Sequence, residues 1–541
     1  MSWNFADVWE RIADTAPAAT ALLQGKQRLA WRAFDRRADG VAAALLAAGL
    51  GAQDKVALYL YNGAAYLESL FGCCKAGLVA VNTNYRYLDD ELHYLFDNSD
   101  AAAVVFHGEF TQRVDALRTR CPKVRAWLHV DDGTAPCPAW AVSYEAVSAH
   151  APGRVRAPWG RSGDDLLLIY TGGTTGRPRG VMWRQEDLFV SSNTAGDPPE
   201  ADLDGVSRRI RAMLDSGEPP AVGLPAAPLM HGTALVFASS ILTRGGAVAM
   251  LEARRFDVEE LLDTLQFRAV TDLCIVGDAF CRPMVDALEA APQRWNLRQL
   301  KAVSSSGMMW SDACKQGLLR HAPDALLVDF LNSSEASGMG RSVSSRTRPQ
   351  KGANFRLGKN AFVIDDAGQP IAPGSGIAGR VAVRGRVPLG YYGDPEKSAR
   401  TFPVIEGVRC AVPGDYAMVE ADGSITLLGR GSVSINTGGE KVFPEEVEEC
   451  IKTLPGVNDA VVVGVPDARF GEIVAAAVET AAGASLTAEA IKAHVRGRLA
   501  GHKAPRQVML VDSIGRGPNG KADYPQVRQR VLDWLAEKER S

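Results

Sequence analysis

Through the first hundred residues, apolar runs of strand length alternate with stretches whose apolar residues recur at helical spacing. "KVALYL" (Lys55–Leu60), "LVAVN" and "AAAVVF" read as strands. Between them "AAYLESLFGCCKAG" reads as a helix, and "DDELHYLFDNS" sets Leu92, Leu95 and Phe96 on one helical face. "LAWRAFDRRADGVAAALLAAG", upstream, has the same helical pattern. This alternation predicts an α/β fold with a mainly parallel sheet and helices on both sides. The stretch from Leu224 to Phe330 continues in that style. Residues 191–220, polar and proline-rich, read as a mobile surface loop.

The pattern changes near Gly429. "FPEEVEECIKTLPG" predicts a short helix: Pro444 suits its first turn, Glu445 and Glu446 favour the positive end of its dipole, and Pro455-Gly456 stops it. "DAVVVGV", "EIVAAAVE" and "QVMLVD" read as strands. "TAEAIKAHVRGRL" reads as a helix with Ile491, Val495 and Leu499 along one stripe. A chain of 541 residues exceeds one core and calls for several domains. The expected division is a large α/β domain over 1–430 and a small α+β domain over 431–541.

Composition narrows the class without naming a chemistry. The 46% hydrophobic and 23% charged content is that of an ordinary soluble globular protein. A net charge of −3 gives no support for a nucleic-acid surface. The most apolar stretch, Val41–Leu50, is far shorter than the ~20 residues a membrane span needs. The N-terminus, "MSWNFADVWERIADTAP", has acidic residues and no apolar core, unlike a secretory signal. Nine cysteines lie scattered without metal-type spacing, and Cys73 and Cys74 are expected to pack in an apolar helix. A reduced, cytoplasmic protein fits best.

Chemistry enters with "YTGGTTGRPRG" (Tyr170–Gly180), which follows the apolar run "DLLLI". Glycines allow close backbone approach to a ligand, and threonine hydroxyls, N–H groups and arginines suit phosphate oxygens. A flexible turn with solubilising arginines is the bland alternative. The loop is neither a Walker A loop nor a dinucleotide fingerprint. Four other stretches have similar character: Glu335 among serines in "FLNSSEASG", Asp415 in "PGD", Arg430 with paired glycines and Lys441 in "GRGSVSINTGGEK", and Lys521 in "GRGPNGKADY". Singly, each fits an ordinary cap, turn or solvated residue.

Their order is specific. With "PLMHG" (Pro228–Gly232), "VAVRG" and "GYYGDPEKSARTF" (Gly390–Phe402), these motifs cover essentially the whole chain. In that order they resemble the adenylate-forming superfamily of acyl-CoA synthetases, luciferases and peptide-synthetase adenylation domains. The resemblance implies that a carboxylate is joined to the α-phosphate of ATP and then passed to the thiol of coenzyme A. It implies a phosphate cradle at Thr171, Gly172, Gly173, Thr174, Thr175, Gly176 and Arg179. Glu335, with Thr174, would hold magnesium (Mg2+). Asp415 would accept the ribose hydroxyls with Arg430 nearby, and Lys521 would meet the transferring phosphate. Ser305, Ser306 and Gly307, with Asp329, Asn332, Ser333 and Ser334, line up with the adenine pocket. Gly438, Gly439, Glu440 and Lys441 would serve the thioester step after the small domain rotates about a hinge just past Arg430.

The chain departs from the family's usual pattern at four places. Arg179 stands where lysine is usual, Gly173 where serine is common, Leu331 and Asn332 replace an aromatic-glycine pair, and Ser432 takes the Asp/Lys hinge position. A nucleotide-binding homologue without turnover is the reading these departures motivate. No aspartate lies between Pro228 and Leu242, where amino-acid-activating members carry one for the substrate ammonium. His231 resembles a pocket-gating residue, and Val276 and Gly277 lie in an apolar segment suited to a roomy acyl pocket. The wording of the motifs looks most like bacterial fatty-acid and steroid-side-chain acyl-CoA ligases. Expected partners are a lipid carboxylic acid, ATP and coenzyme A. A carrier protein remains the alternative acceptor, and a homodimer is left open.

Overall fold

The computed structural model of the chain describes residues 3–540 apart from 152, 174–175, 194–199, 201, 309, 351–353, 432–433, 438–439, 468–469, 482 and 517–521. It divides into two compact units. One comprises Met1–Gly352, Gly358–Asn360 and Val383–Ala411; the other comprises Ala353–Leu357, Ala361–Ala382 and Val412–Ser541.

The first unit holds two mainly parallel sheets. In one, the strands run in the order 142–143, 126–130, 101–107, 55–59, 79–82, 166–173 and 176–184. All neighbours are parallel except the last pair, which is antiparallel. In the other, Leu326–Ser333, Ala302–Ser306, Asp272–Ile275, Val222–Pro225, Ala247–Met250 and Thr20–Gln24 are parallel neighbours. Antiparallel strands Gln27–Ala30 and Ala336–Ser344 extend it at its two ends. The strands buried on both faces are the ones that read as unbroken apolar runs, such as Ala101–His107. The helix Ala64–Ala76 is buried at every position from Ala65 onward. Cys73 and Cys74 are wholly buried there, which pushes both thiols up, and all nine cysteines are unbridged.

Part of the expected surface loop at 191–220 is instead a helix, Leu203–Asp215. Asp202 caps it, its carboxylate accepting from Gly205 N–H at 2.7 Å, and Val206 and Ile210 are buried one turn apart. The cap and the i, i+4 apolar pair outweigh the polar composition around them.

In the second unit, strands Ala378–Arg384, Asp415–Val419, Ser424–Arg430 and Asn354–Leu357 pair antiparallel in that order. A further five-stranded sheet is centred on the long hairpin of Val457–Asp467 and Gly471–Thr480, with Gln507–Val511 added in parallel. "VVVGV" is apolar at consecutive positions because helices cover both faces. Val462, Val474 and Ala476 pack with Val447, Ile451, Ile491 and Val495 on one side. Val461, Val463 and Ala475 pack with Val527 and Val531 on the other. No helix among the described residues is long and apolar enough to cross a membrane.

Candidate active site

The glycine-rich stretch is the end of an antiparallel hairpin rather than a loop leading into a helix. Tyr170 lies opposite Gly180, Thr171 opposite Arg179 and Gly173 opposite Gly176; Thr174 and Thr175 lie outside the described residues. The Tyr170 ring covers Gly180 so closely that a Cβ there would sit 2.6 Å from a ring carbon. Only glycine fits. Arg179 Nε donates to Asp394 Oδ2 at 3.0 Å. Asp394 also caps the helix Pro395–Thr401, accepting from Lys397 N–H at 3.0 Å. That backbone bond and Arg179 together hold its carboxyl below the usual range.

Glu335 sits at the turn between the strands Leu326–Ser333 and Ala336–Ser344. Trp183 Nε1 donates to the carbonyl of Ser334 at 2.8 Å, and the Tyr391 hydroxyl donates to Glu335 Oε1 at 2.9 Å. Tyr391 is delivered by a short run beside the hairpin. Met182 N–H donates to Gly390 O at 2.9 Å and Tyr392 N–H to Gly180 O at 2.8 Å. Burial and the Glu335 charge push the Tyr391 hydroxyl up, so it stays a donor. A Cβ on Gly232 would lie 3.8 Å from Ile169 and 3.9 Å from Ser334 Oγ. The start of the helix Gly232–Thr243, next to His231, therefore adjoins both the hairpin and the Glu335 turn.

The parallel strands Asp272–Ile275 and Ala302–Ser306 pair with Ile275 opposite Ser305. Val276, Gly277 and Gly307 thus emerge at carboxyl ends, where ligands bind in parallel sheets. Gly277 has φ 52° and ψ −150°, a backbone state suited to glycine, and its N–H donates to Ser305 Oγ at 2.9 Å. Asn332 Oδ1 accepts from Gly338 N–H at 2.7 Å. Asp329 is directed differently. It is buried, with Lys315 Nζ of the helix Asp312–His321 at 3.4 Å. The buried hydroxyl oxygen of Ser333 has no partner among the described residues, a polar atom that a nucleotide could satisfy.

In the second unit Asp415 is buried and lies opposite Arg430 across two antiparallel strands. Gly431 N–H donates to Gly414 O at 2.9 Å, and Gly429 has φ 125°, with Glu445 where a Cβ would stand. Of Arg430, Glu440 and Lys441 the backbone alone is described, in the strands Ser424–Arg430 and Glu440–Val442. Gly438, Gly439 and Lys521 lie outside the described residues. Sequence reasoning gave no role to Tyr391, Trp183, Asp394 or Asn82. The first and third stand in the "GYYGDPEKSARTF" motif, which was the available signal.

The AMP-binding enzyme family matches residues 9–392, and the AMP-binding enzyme C-terminal domain matches 446–521. A medium/long-chain-fatty-acid–CoA/3-oxocholest-4-en-26-oate–CoA ligase of Mycolicibacterium smegmatis is 40% identical over 97% of this chain and 96% of its own. A 3-oxocholest-4-en-26-oate–CoA ligase of Rhodococcus rhodochrous is 37% identical over 97% and 95%. The solved structure of an anthranilate CoA ligase in complex with anthranoyl-AMP matches with a TM-score of 0.82, covering 98% of this chain and 97% of its own at 20% identity, a likeness of fold. With both family matches in chain order and relatives of this identity along nearly its full length, the chain belongs to the AMP-binding enzyme family, as an AMP-forming acid–thiol ligase.

Proposed function

We propose that the enzyme activates a bulky hydrophobic carboxylic acid, a medium- or long-chain fatty acid or a steroid side-chain acid, and transfers it to coenzyme A. The observation that carries this reading is the identity, over nearly the full chain, to ligases named for those acids. The absence of any carboxylate from Pro228 to Leu242 supports it, because a buried ammonium without a counter-charge would be very costly.

In the first step a carboxylate oxygen attacks the α-phosphorus of ATP and the bond to the bridging oxygen breaks, releasing pyrophosphate. In the second, the coenzyme A sulfur attacks the acyl carbon, AMP leaves, and the thiol proton goes to solvent. Charge builds on phosphate oxygens in the first step, so fixed donors and cations lower its barrier. The hairpin residues Thr171–Gly176 and Arg179 would serve there with Lys521. Ser305–Gly307 and Asn332–Ser334 would border the adenine, and Asp415 and Arg430 the ribose. Asp329 would support that strand through Lys315. Glu335, one oxygen of which accepts from Tyr391, suits Mg²⁺, which takes one or two carboxylates plus substrate phosphates and neutralises their charge. His231, Val276 and Gly277 would shape the acyl pocket. The "GGEK" stretch, Gly438–Lys441, would serve the thioester step after domain 431–541 rotates about a hinge past Arg430. The reading includes a cytoplasmic location. AMP formation assayed over C6–C18 fatty acids and a steroid side-chain acid tests the substrate class, and small polar acids as the sole substrates would overturn it. Thioester formed with coenzyme A alone excludes a carrier protein as the required acceptor.

Glu335→Gln should lower kcat/KM for Mg·ATP at least about tenfold, with partial recovery at high Mg²⁺. The fold should survive, since a glutamine carbonyl can still accept from Tyr391. Wild-type activity at ordinary Mg²⁺ would refute the metal role.

Proline at the hinge should separate the two half-reactions, because it fixes φ near −65° and removes a donor. Gly431 is the poorer site: its N–H is bonded to Gly414 and a Cβ would meet the Tyr416 ring. Ser432, which lies outside the described residues, is the second position to test. One half-reaction should stall while the other persists, and equal slowing of both would place the hinge elsewhere.

A further inference from the structure

The segment Ala227–His231, between the strand Val222–Pro225 and the helix Gly232–Thr243, runs outside the sheet ladder. His231 N–H donates to Pro228 O at 3.0 Å within the segment, and other backbone groups need partners from elsewhere, since buried N–H and C=O groups are almost always paired. Two asparagines from the other sheet supply three of them. Asn62 Nδ2 donates to Ala227 O at 3.1 Å, and Asn62 Oδ1 accepts from Leu229 N–H at 2.6 Å. Asn82 Nδ2 donates to Met230 O, the residue before His231.

Asn82 also holds the phosphate hairpin. Its Nδ2 donates to Tyr170 O at 3.1 Å, and its Oδ1 accepts from Tyr170 N–H at 2.5 Å. Tyr170 is the residue immediately before Thr171. A single buried amide, 5% exposed, thus spends both its hydrogens and its oxygen on two chain segments that lie 60 residues apart in sequence, Tyr170 and Met230. Asn82 ends the strand Val79–Asn82 and Asn62 follows the neighbouring strand Lys55–Tyr59, so both stand at the carboxyl edge where parallel sheets place ligands. Neither is aimed at a ligand. Both tie down backbone.

We propose that Asn82, supported by Asn62, is a positioning residue that sets the distance between the phosphate hairpin and the acyl segment, and so the approach of the substrate carboxylate to the α-phosphorus. The inference rests on the acid-activating reading above. Asparagine is required because the site presents one N–H and two carbonyl oxygens to one planar group. Aspartate would turn an oxygen toward two carbonyls and bury an unpaired charge. Glutamine, a methylene longer, would push the two segments apart. A misplacement of 1 Å between reacting groups costs on the order of 10²-fold in rate.

The test is single-turnover kinetics of Asn82→Ala and Asn62→Ala, normalised to the fraction of sites that bind ATP. Asn82→Ala should slow acyl-adenylate formation by ~10²-fold, while transfer from a supplied acyl adenylate to coenzyme A keeps a near wild-type rate. Its preference among acids of different length should flatten. Asn62→Ala, which frees the acyl segment and leaves the hairpin held, should raise KM for the acid and leave KM for ATP unchanged. Equal loss in both half-reactions, or unchanged kinetics in Asn82→Ala, would overturn the proposal. If Asn82→Ala does not fold, the Asn62→Ala result decides: an unchanged KM for the acid overturns it. Failure of the substrate reading has a different signature, since wild type itself would then release no pyrophosphate with lipid acids.

Discussion

Lys521→Ala leaves the protein folded and able to bind ATP but nearly unable to make the acyl adenylate. The lysine stands in "GRGPNGKADY", whose glycines and proline offer little packing, so its removal should change stability by no more than about half a kcal/mol. The described residues on either side are anchored. Arg516 forms a two-pronged ion pair with Asp459 at 2.5 and 2.9 Å, and the Tyr524 hydroxyl donates to the buried Glu448 at 3.2 Å. The ends of the segment therefore stay in place when the lysine is truncated, and the lost function is the ammonium itself. Deleting one charge contact made mainly in the transition state costs ~10²–10³ in rate, roughly 3–4 kcal/mol. The loss should be confined to adenylation, because the proposed rotation carries this segment away before the thiol attacks. Given a synthetic acyl adenylate, Lys521→Ala should form the thioester at near wild-type rate. Equal loss in both steps would make Lys521 a structural residue.

The parts of the fold that were legible in sequence are those where burial on two faces, or one face at fixed period, dictates residue type. Ala101–His107 and the run Ala460–Val463 announce themselves because buried positions follow one another without a break. The hairpin of Leu166–Gly173 and Gly176–Arg184 did not. Its second strand, Gly176–Arg184, begins Gly-Arg-Pro-Arg-Gly, residues with poor strand propensity, and it pairs because Tyr170 closes over Gly180 and Gly390–Tyr392 runs along it. The site divided in the same way. Ordered motifs name the groups expected to meet phosphate, metal and ribose, because such chemistry needs particular residue types in short runs. What aims them is remote. Tyr391 is 56 residues from Glu335, Trp183 is 151 from Ser334 and Asp394 is 215 from Arg179, separations that carry no periodic signal. Asp329 shows how alternation qualifies a motif. It belongs to a run aligned with the adenine pocket, yet its carboxylate lies beside Lys315 of the helix Asp312–His321.

Lys75→Met should destabilise the first unit by roughly 3–5 kcal/mol, the cost of removing one partner from a buried ionic group. Lys75 is the penultimate residue of the buried helix Ala64–Ala76, and its side chain is 0% exposed. Its ammonium lies 2.9 Å from Glu10, 2.7 Å from Asp35 and 2.9 Å from Asp39. Arginines share the first two: Arg161 and Arg156 reach Glu10, and Arg154 reaches Asp35. Asp39 has the Val155 N–H at 2.9 Å besides Lys75, so it loses most when the ammonium goes. Methionine matches the lysine stem in volume, which leaves charge as the main change. The pH dependence follows from the carboxyl groups. Burial works against ionisation of Glu10, but Arg161 and Lys75 hold its carboxyl down to about 2. Its contribution to wild-type stability is therefore full above the unfolded value and is lost as pH falls through the folded one. Without Lys75 the folded-state values rise, above all at Asp39, whose carboxyl burial already pushes up. The deficit of the variant should then be largest near pH 7–8 and shrink as pH drops below about 5, where the buried carboxylates take up protons. Urea midpoints of the first unit's transition at pH 8, 6 and 4 measure it. Neutralising the carboxylate that depends most on the ammonium, by adding Asp39→Asn to Lys75→Met, should recover part of the loss, because its unpaired charge goes with the ammonium while Glu10 and Asp35 keep their arginines. A deficit under about 1 kcal/mol that does not vary with pH would show that the carboxylates find compensation without Lys75, and the ammonium would then be dispensable to the fold.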